Sequence, residues 1–118
     1  MINKKEFRIG NLLNFEVNNE ICEFEENINL QFHSPILVSL EMLKELGFKK
    51  RSDFSKSGNM QKSFVSESGT SIFKIRIVNS EIVSFCYNSD NEQKVNVKYI
   101  HRLQNLFFEI TNAELELI

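Results

Sequence analysis

The sequence predicts an α+β fold: an antiparallel sheet of two hairpins and additional strands, with a short middle helix and a long amphipathic C-terminal helix. Two stretches of alternating apolar and polar residues, each interrupted by a turn-forming pair that contains asparagine, predict the hairpins. Leucines at helical spacing over about residues 39–46 and an apolar stripe over about residues 97–111 predict the helices. A chain of 118 residues is the usual size of one domain, so we expect residues 1–118 to share one core.

The first hairpin is predicted between Phe7 and Phe24. Apolar residues alternate with polar ones from Phe7 to Val17, which is typical of a strand with one buried face. Asn18 and Asn19 then interrupt the pattern, and asparagine tolerates the positive φ of a tight turn. The apolar residues just before Phe24 form the predicted return strand.

A third strand and the middle helix are predicted next. Residues 28–32 alternate between apolar and polar side chains, and Pro35 is expected to end this strand because proline cannot donate to a β-ladder. The Ser39 hydroxyl suits a helix N-cap, and Gly47 follows the last leucine as a C-terminal stop.

Residues 48–69 are polar with isolated apolar side chains, and either weak strands or a long loop would fit them. The second hairpin is predicted around the turn Asn79-Ser80. Apolar residues alternate on both sides of it, at Phe73, Ile75, Ile77, Val83, Phe85 and Tyr87. We expect the three residues before the turn to share one face of the sheet and the three after it to share the next.

Val95 and Val97 lead into the C-terminal helix. Its predicted apolar stripe consists of Tyr99, Leu103, Leu106, Phe107 and Ile110. Its predicted polar side consists of Lys98, Arg102, Asn105 and Glu109. Asn112 can adopt the left-handed conformation that ends a helix, and Leu115 and Leu117 are expected to add a short final strand.

The charges predict a bipolar surface. The net charge of −2 argues against general affinity for nucleic acid, which needs a local excess of Lys and Arg. Residues 16–26 carry five glutamates and no cation, which suits either a solvated sheet edge or a basic partner. The cations of residues 49–62 are interleaved with Phe48 and Phe54, which suits either a solvated loop or a segment that stacks bases and binds phosphates.

No targeting or membrane segment is expected. No apolar stretch follows Lys4 and Lys5, and no apolar run approaches the roughly 20 residues that cross a bilayer. We therefore expect a cytoplasmic protein of a bacterial host cell.

No catalytic or metal-binding pattern is visible. His33 and His101 are the side chains whose ordinary pKa lies near neutrality, but neither has a recognisable partner. We therefore expect a surface or turn role for His33 and a packed or boundary role for His101. Cys22 and Cys86 are far apart and are expected to be reduced thiols. The short ligand pairs of zinc sites and the glycine-rich loops of phosphate sites are absent, so we expect no cofactor.

Three blocks of the sequence resemble a family of small uncharacterised proteins from Bacteroidetes-type bacteria and their phages. The blocks are R-I-G-N-L at residues 8–12, P-I-L-V-S-L-E at residues 35–41 with Gly47-Phe48, and K-Y-I-H-R-L-Q-N-L-F-F at residues 98–108. Leu37 stands where the family has a second proline, and Asn112 stands where a glycine is usual. The resemblance implies a shared fold and a phage or mobile-element setting, and it implies no activity.

In that setting, small proteins often bind host factors or sequester nucleotide-like immune signals without catalysis. We therefore expect a non-enzymatic binding protein, a small homo-oligomer that captures a phosphate-bearing molecule or blocks a host protein. The predicted ligand-binding residues are His101, Arg102, Gln104, Asn105 and Tyr99, followed by Arg8, Asn11, Lys49, Lys50 and Arg51. One alternative is an interaction module that presents residues 20–26 to a basic partner, and another is a small phosphodiesterase or nuclease that uses His33 or His101.

Overall fold

A computed structural model describes residues 7–28, 30–50, 59–66, 69–89 and 91–118. The strands are β1 (Leu12–Phe15), β2 (Glu20–Glu23), β3 (His33–Pro35), β4 (Lys49–Lys50), β5 (Asn59–Ser66), β6 (Gly69–Val78), β7 (Glu81–Tyr87) and β8 (Gln93–Val97). The helices are α1 (Leu40–Glu45) and α2 (Ile100–Thr111), with a short 3-10 helix at Leu30–Phe32. All strand pairs are antiparallel, in the orders β2-β1-β3 and β4-β5-β6-β7-β8. The predicted α+β class is confirmed.

The first hairpin forms as predicted, but its first strand covers only Leu12–Phe15 of residues 7–17, and the third strand is displaced. Asn19 has a φ of 57° in the turn between β1 and β2, as expected for asparagine. The prediction of a strand over residues 28–32 is wrong, because Leu30–Phe32 forms a 3-10 turn and pairing begins only at β3. Pro35 is the last residue of β3, opposite Leu13, so it does end a strand as predicted, although that strand is His33–Pro35 rather than residues 28–32. Proline is tolerated there because β3 is an edge strand of its sheet.

The middle helix forms where its sequence predicts. The Ser39 hydroxyl accepts a hydrogen bond from the Met42 backbone N–H at 3.1 Å, which caps the start of α1. Gly47 follows the helix with a φ of +94°, a conformation that favours glycine. The Lys62 ammonium donates to the Leu46 carbonyl at 2.6 Å and so satisfies one of the helix-end acceptors. Burial lowers the pKa of Lys62, while the nearby Glu116 carboxylate acts in the opposite direction.

The five-stranded sheet contains the predicted second hairpin, with Asn79 at φ 52° and Ser80 at φ 62° in its turn. The ambiguous stretch supplies two strands, β4 and β5. Side chains that lie opposite each other in an antiparallel ladder share a face. Phe73 and Ile75 of β6 therefore share the buried face with their partners on β7, and Phe107 of α2 packs 5.1 Å from the Phe73 ring. The core lies between this face and the helices.

Helix α2 begins later and faces differently than predicted. It starts at Ile100 because Tyr99 still pairs as an extended residue with Leu37. Its buried residues are Ile100, His101, Leu103, Gln104 and Phe107. The predicted stripe is wrong at Ile110, which is 39% exposed. The stripe is rotated because two polar residues, His101 and Gln104, take positions in the interior.

The chain after α2 has no strand in the described residues. Asn112 adopts the predicted left-handed conformation, with a φ of 58°. Leu115 is buried, but the predicted final strand is wrong, because the Leu115 carbonyl accepts a hydrogen bond from the Gln104 side chain rather than from a neighbouring strand. Within the part of the chain that the structure describes, no helix is long and apolar enough to cross a membrane.

The two sheets are joined through the segment after β3. The Val38 N–H donates to the Lys98 carbonyl at 2.8 Å, and the Ile100 N–H donates to the Ile36 carbonyl at 2.8 Å. One extended segment thus pairs first with β1 and then with the chain that leaves β8. This connection places the three-stranded sheet β2-β1-β3 beside the start of α2.

Candidate functional site

Two of the motif blocks meet in a polar cluster between the N-terminal segment and α2. The Arg8 Nε donates to the Asn105 side-chain oxygen at 2.7 Å, and the Asn11 side chain donates to the same oxygen at 3.1 Å. The Arg8 backbone N–H donates to the Asn11 side chain at 2.6 Å. Arg8 and Asn11 are each more than 90 positions from Asn105 in the chain, and the fold brings them together.

The Arg8 guanidinium extends this cluster toward the chain after α2. It forms an ion pair with Glu114 at 2.9 Å, donates to the Gln104 carbonyl at 3.3 Å and lies 4.4 Å from the centre of the Phe108 ring. A guanidinium can donate along two edges and stack with its face, and this one does both within the protein. These contacts of Arg8 hold the N-terminal segment against α2.

Gln104 is the buried centre of the same cluster, 2% exposed. Its side-chain oxygen accepts from the Leu12 N–H at 2.8 Å, and its side-chain amide donates to the Leu115 carbonyl at 2.9 Å. The same amide reaches the Gly10 carbonyl at 3.5 Å. Gln104 thus satisfies backbone groups of the chain on both sides of α2, as a buried amide requires.

His101 is buried in an aromatic environment, 1% exposed. Its ring stacks on Phe7 with the ring centres 4.1 Å apart, and Tyr99 stacks 5.9 Å away. Within the described residues, neither ring nitrogen of His101 has a hydrogen-bond partner. Burial lowers the pKa of His101 to about 4, so the ring is neutral at pH 7.

We expect His101 to make the protein less stable in acid. Its pKa is about 4 in the folded chain against an ordinary 6.5, so the unfolded chain binds a proton over that range and the folded chain does not. Above pH 6.5, His101 leaves the free energy of unfolding unchanged with pH. Below pH 6.5, His101 lowers this free energy by about 1.4 kcal/mol for each pH unit of acidification, and the loss reaches about 3 kcal/mol near pH 4. Urea unfolding at several pH values should show this slope, and His101→Phe should remove it. The same pH dependence in both proteins would contradict the assignment.

The remaining predicted residues lie apart from the polar cluster. Arg102 is exposed on α2, and Tyr99 is half-buried against His101. Lys49 and Lys50 are exposed on β4, four strands away from β8 in the five-stranded sheet, and Arg51 lies outside the described residues. Ligand binding by any of the predicted residues stays a prediction.

Two neighbouring rows of side chains cross the face of the five-stranded sheet that points away from α2. The first row, read from β4 to β7, consists of Lys49, Gln61, Lys74 and Cys86. The second row, read from β5 to β8, consists of Asn59, Arg76, Ser84 and Lys94. We call these two rows the basic sheet face. Sequence reasoning selected only Lys49 from it, because the other cations appear as ordinary solvent-facing positions until the strand register is known.

Charge on the basic sheet face is predominantly positive. Its two rows carry four cationic side chains, and Glu92 adds one carboxylate that lies 3.8 Å from the Arg76 Nε and 3.3 Å from the Ser84 hydroxyl. A depression of about 10 Å³ between these groups has room for about one water molecule. A ligand would therefore lie across the face rather than enter it.

A larger groove of about 460 Å³ lies at the other end of the sheet. It is lined by Phe64, Val65, Ser66, Tyr87, Thr111, Asn112 and Ala113. No charged side chain is among these lining residues, and the groove lies at the negative C-terminal end of α2. A phosphate group would find no cation among these described residues, so the described lining does not favour an anionic ligand.

The acidic residues form a second charged surface, in the three-stranded sheet region. The five glutamates of residues 16–26 are all exposed along the β1–β2 hairpin and the chain that follows it. The predicted clustering of negative charge is confirmed, while a basic partner stays a prediction.

The cysteines and histidines do not form a metal site in the described chain. Cys22 is half-buried, and burial together with the Glu25 carboxylate raises the pKa of its thiol. Cys86 is buried on β7, and His33 lies 5.1 Å from the Phe15 ring. No group of three or more potential ligands converges among the residues described.

The fold and these surfaces define an α+β protein with a polar cluster inside and a basic sheet face outside. Comparisons with family models, curated proteins and solved structures found no match to this chain.

Proposed function

We propose that this chain is a non-enzymatic binding protein that captures a phosphate-bearing small molecule on its basic sheet face. The observation that carries this proposal is the placement of four cations in two adjacent rows of one sheet. Strands are spaced about 4.8 Å apart, so the two cations within each row stand about 10 Å from each other. The neutral Gln61 side chain lies between Lys49 and Lys74, whereas Ser84, between Arg76 and Lys94, is buried and its hydroxyl donates to Glu92.

The chemistry of the face suits phosphate more than a nucleobase. Lysine and arginine donate charge-assisted hydrogen bonds to phosphate oxygens, and hydroxyl and amide groups add neutral donors. Bases are usually held by stacking on aromatic rings, and neither row contains one. Recognition is therefore expected to depend on the phosphates and to weaken with salt.

The buried state of His101 supports binding rather than turnover. A general acid or base must reach the substrate within hydrogen-bond distance, and a ring that is 1% exposed is shielded from any ligand on the surface. With a pKa of about 4, it would also be a weak base at neutral pH.

The test is calorimetric titration with nucleotides, cyclic dinucleotides and ADP-ribose at low salt. Lys49→Gln and Lys94→Gln are each expected to weaken binding about threefold to fivefold, the effect of one exposed charge contact. Lys44→Gln is the matched control, because Lys44 is exposed on α1 and makes the same change in net charge. The proposal fails if no phosphate compound binds or if the control weakens binding equally.

The biological setting rests on the motif resemblance. In a phage or mobile element, capture of a nucleotide-like immune signal would withdraw it from a host defence system. A protein that only sequesters its ligand releases it intact when the protein is denatured, whereas a phosphodiesterase releases a cleaved product. Mass spectrometry of the released ligand separates the two, and a ligand-free protein that retains a host protein would favour the interaction module.

A further inference from the structure

Strand β5 has an open edge along its second half. β4 pairs with β5 only at Met60 and Gln61, whereas β6 pairs with the whole of β5. In the part of the chain that the structure describes, no strand lies beside residues 62–66 on the side away from β6. This stretch is therefore an edge of the five-stranded sheet, which we call the open edge.

The strand register identifies the backbone groups that point toward the open edge. The Ile72 N–H donates to the Asn88 side chain and the Ile72 carbonyl accepts from the Asn88 N–H, so the backbone of Ile72 bonds on the side of β7. Ser63 is directly opposite Ile72, and opposite residues bond either toward each other or both away. The N–H and carbonyl of Ser63, and those of Val65 two residues further on, therefore point away from β6. These groups have no partner among the described residues.

The other sheet edges carry features that hinder the addition of a strand. β2 has a glutamate at each end, and β4 consists of two lysines. β3 ends in Pro35, and β8 carries Lys94 and an irregular register opposite β7. In contrast, residues 63–66 contain neither a charge nor a proline, and the Val65 side chain is 86% exposed. The open edge is thus the edge best suited to pairing with another strand.

We infer that the open edge pairs with the open edge of a second copy of this chain, antiparallel, around a two-fold axis at Phe64. A two-fold axis perpendicular to the sheet keeps each face on its own side, so residues of the same face lie opposite each other. Ser63 then lies opposite Val65 of the second copy, and Val65 lies opposite its Ser63. Each of these two residue pairs can exchange both of its N–H and carbonyl hydrogen bonds. The inference does not depend on the proposed function.

The length of the open edge fits this pairing. With the axis at Phe64, Lys62 lies opposite Ser66 of the second copy, and the paired stretch is residues 62–66. β4 occupies the adjacent position of the ladder, beside Gln61, so the second copy ends where β4 begins. A longer strand from an unrelated protein would collide with β4, whereas a second copy of β5 leaves its own sheet at Ser66, its last residue.

The side chains of the open edge also suit a second copy. Residues 63–66 are uncharged, so pairing brings no like charges together, and a charged peptide would find no complementary charge there. Phe64 and Val65 line the groove of about 460 Å³ as well, so the second copy covers part of that groove. The paired stretch is much shorter than the roughly 20–30 residues a side of a standard interface, so we expect a reversible dimer.

Sedimentation velocity of the full chain, at concentrations up to about 1 mM, measures the association. We expect a monomer–dimer equilibrium that shifts with concentration. Val65→Pro is expected to weaken association at least about tenfold, because proline removes the N–H that points toward the second copy. The bonds from β5 to β6 stay in place, since proline is tolerated where the N–H faces away from the sheet.

A charge at the same position tests the pairing without proline. In the inferred register, Val65 is a diagonal neighbour of Val65 in the second copy. Val65→Lys places two like charges there and is expected to weaken association about tenfold. Val78→Lys is the matched control, because Val78 is 48% exposed at the end of β6, outside the open edge. An equimolar mixture of Val65→Lys and Val65→Glu is expected to associate about fivefold more tightly than either variant alone.

Each outcome decides for or against the second copy. A wild-type chain that stays monomeric throughout the concentration range would overturn the inference and leave the open edge to a strand of another protein. A dimer that neither Val65→Pro nor Val65→Lys weakens, or that Val78→Lys weakens equally, would also overturn it. A mixture no tighter than its components would contradict the two-fold register. Far-UV circular dichroism confirms that each variant is folded, and phosphate binding is measured separately, so the proposed function stands or fails on its own.

Discussion

Replacement of Gln104 by leucine is expected to lower the free energy of unfolding by about 3 kcal/mol. The substitution keeps a side chain of similar size but removes the acceptor for the Leu12 N–H and the donor to the Leu115 carbonyl. Each buried polar group left without a partner costs about 1–3 kcal/mol, and leucine recovers part of this by burying apolar surface. The net loss is large because two segments on either side of α2 lose their attachment together.

Urea unfolding followed by far-UV circular dichroism measures this effect. Glu109→Leu is the control, since Glu109 is exposed on the same helix and has no described hydrogen bond to the neighbouring chain. We expect this control to change the free energy of unfolding by less than about 0.5 kcal/mol. A Gln104→Leu protein as stable as the control would show that the two backbone groups find other partners.

Gln104 also shows why the sequence predicted only part of the site. A glutamine on a helix is usually exposed, and nothing near it in the sequence signals burial. Its partners are 92 and 11 positions away, so the interior position depends on where the N-terminal segment and the C-terminal segment are placed. The motif block around it was recognised, but its local pattern could not distinguish a ligand contact from an internal attachment.

The elements that were predicted correctly depend on local chemistry. The Asn79-Ser80 turn and the Ser39 cap require only the residues beside them, and both are confirmed. The strand that ends at Pro35 lies at His33–Pro35 rather than at residues 28–32, because its position depends on pairing with β1, which is a property of the sheet. The basic sheet face also could not be predicted from local sequence. Lys74 and Arg76 alternate with apolar residues in the sequence, but only the strand register shows that they lie on the same face as Lys94.

The other large effect is expected at Gly47, where alanine should lower the free energy of unfolding by about 2–3 kcal/mol. The φ of +94° disfavours any side chain, which costs about 1 kcal/mol or more. A Cβ atom there would also lie 2.6 Å from the Lys62 Nζ and 3.3 Å from the Ile118 Cγ2. Lys62 would have to leave the Leu46 carbonyl, which adds the loss of a charge-assisted hydrogen bond.

Gly69→Ala separates the two causes of this loss. Gly69 has a comparable φ of +110°, but a Cβ there meets no atom of the described residues within 4 Å, so we expect alanine to add mainly backbone strain. We expect Gly69→Ala to cost about 1 kcal/mol, and the difference from Gly47→Ala to shrink in a Lys62→Met background, where the displaced hydrogen bond is already missing. An undiminished difference in that background would assign the extra cost to Ile118 and the backbone. Lys62 belongs to β5, and Leu46 follows directly after α1. This double-mutant cycle therefore measures the contribution of the Lys62–Leu46 contact, which attaches the middle helix to the five-stranded sheet.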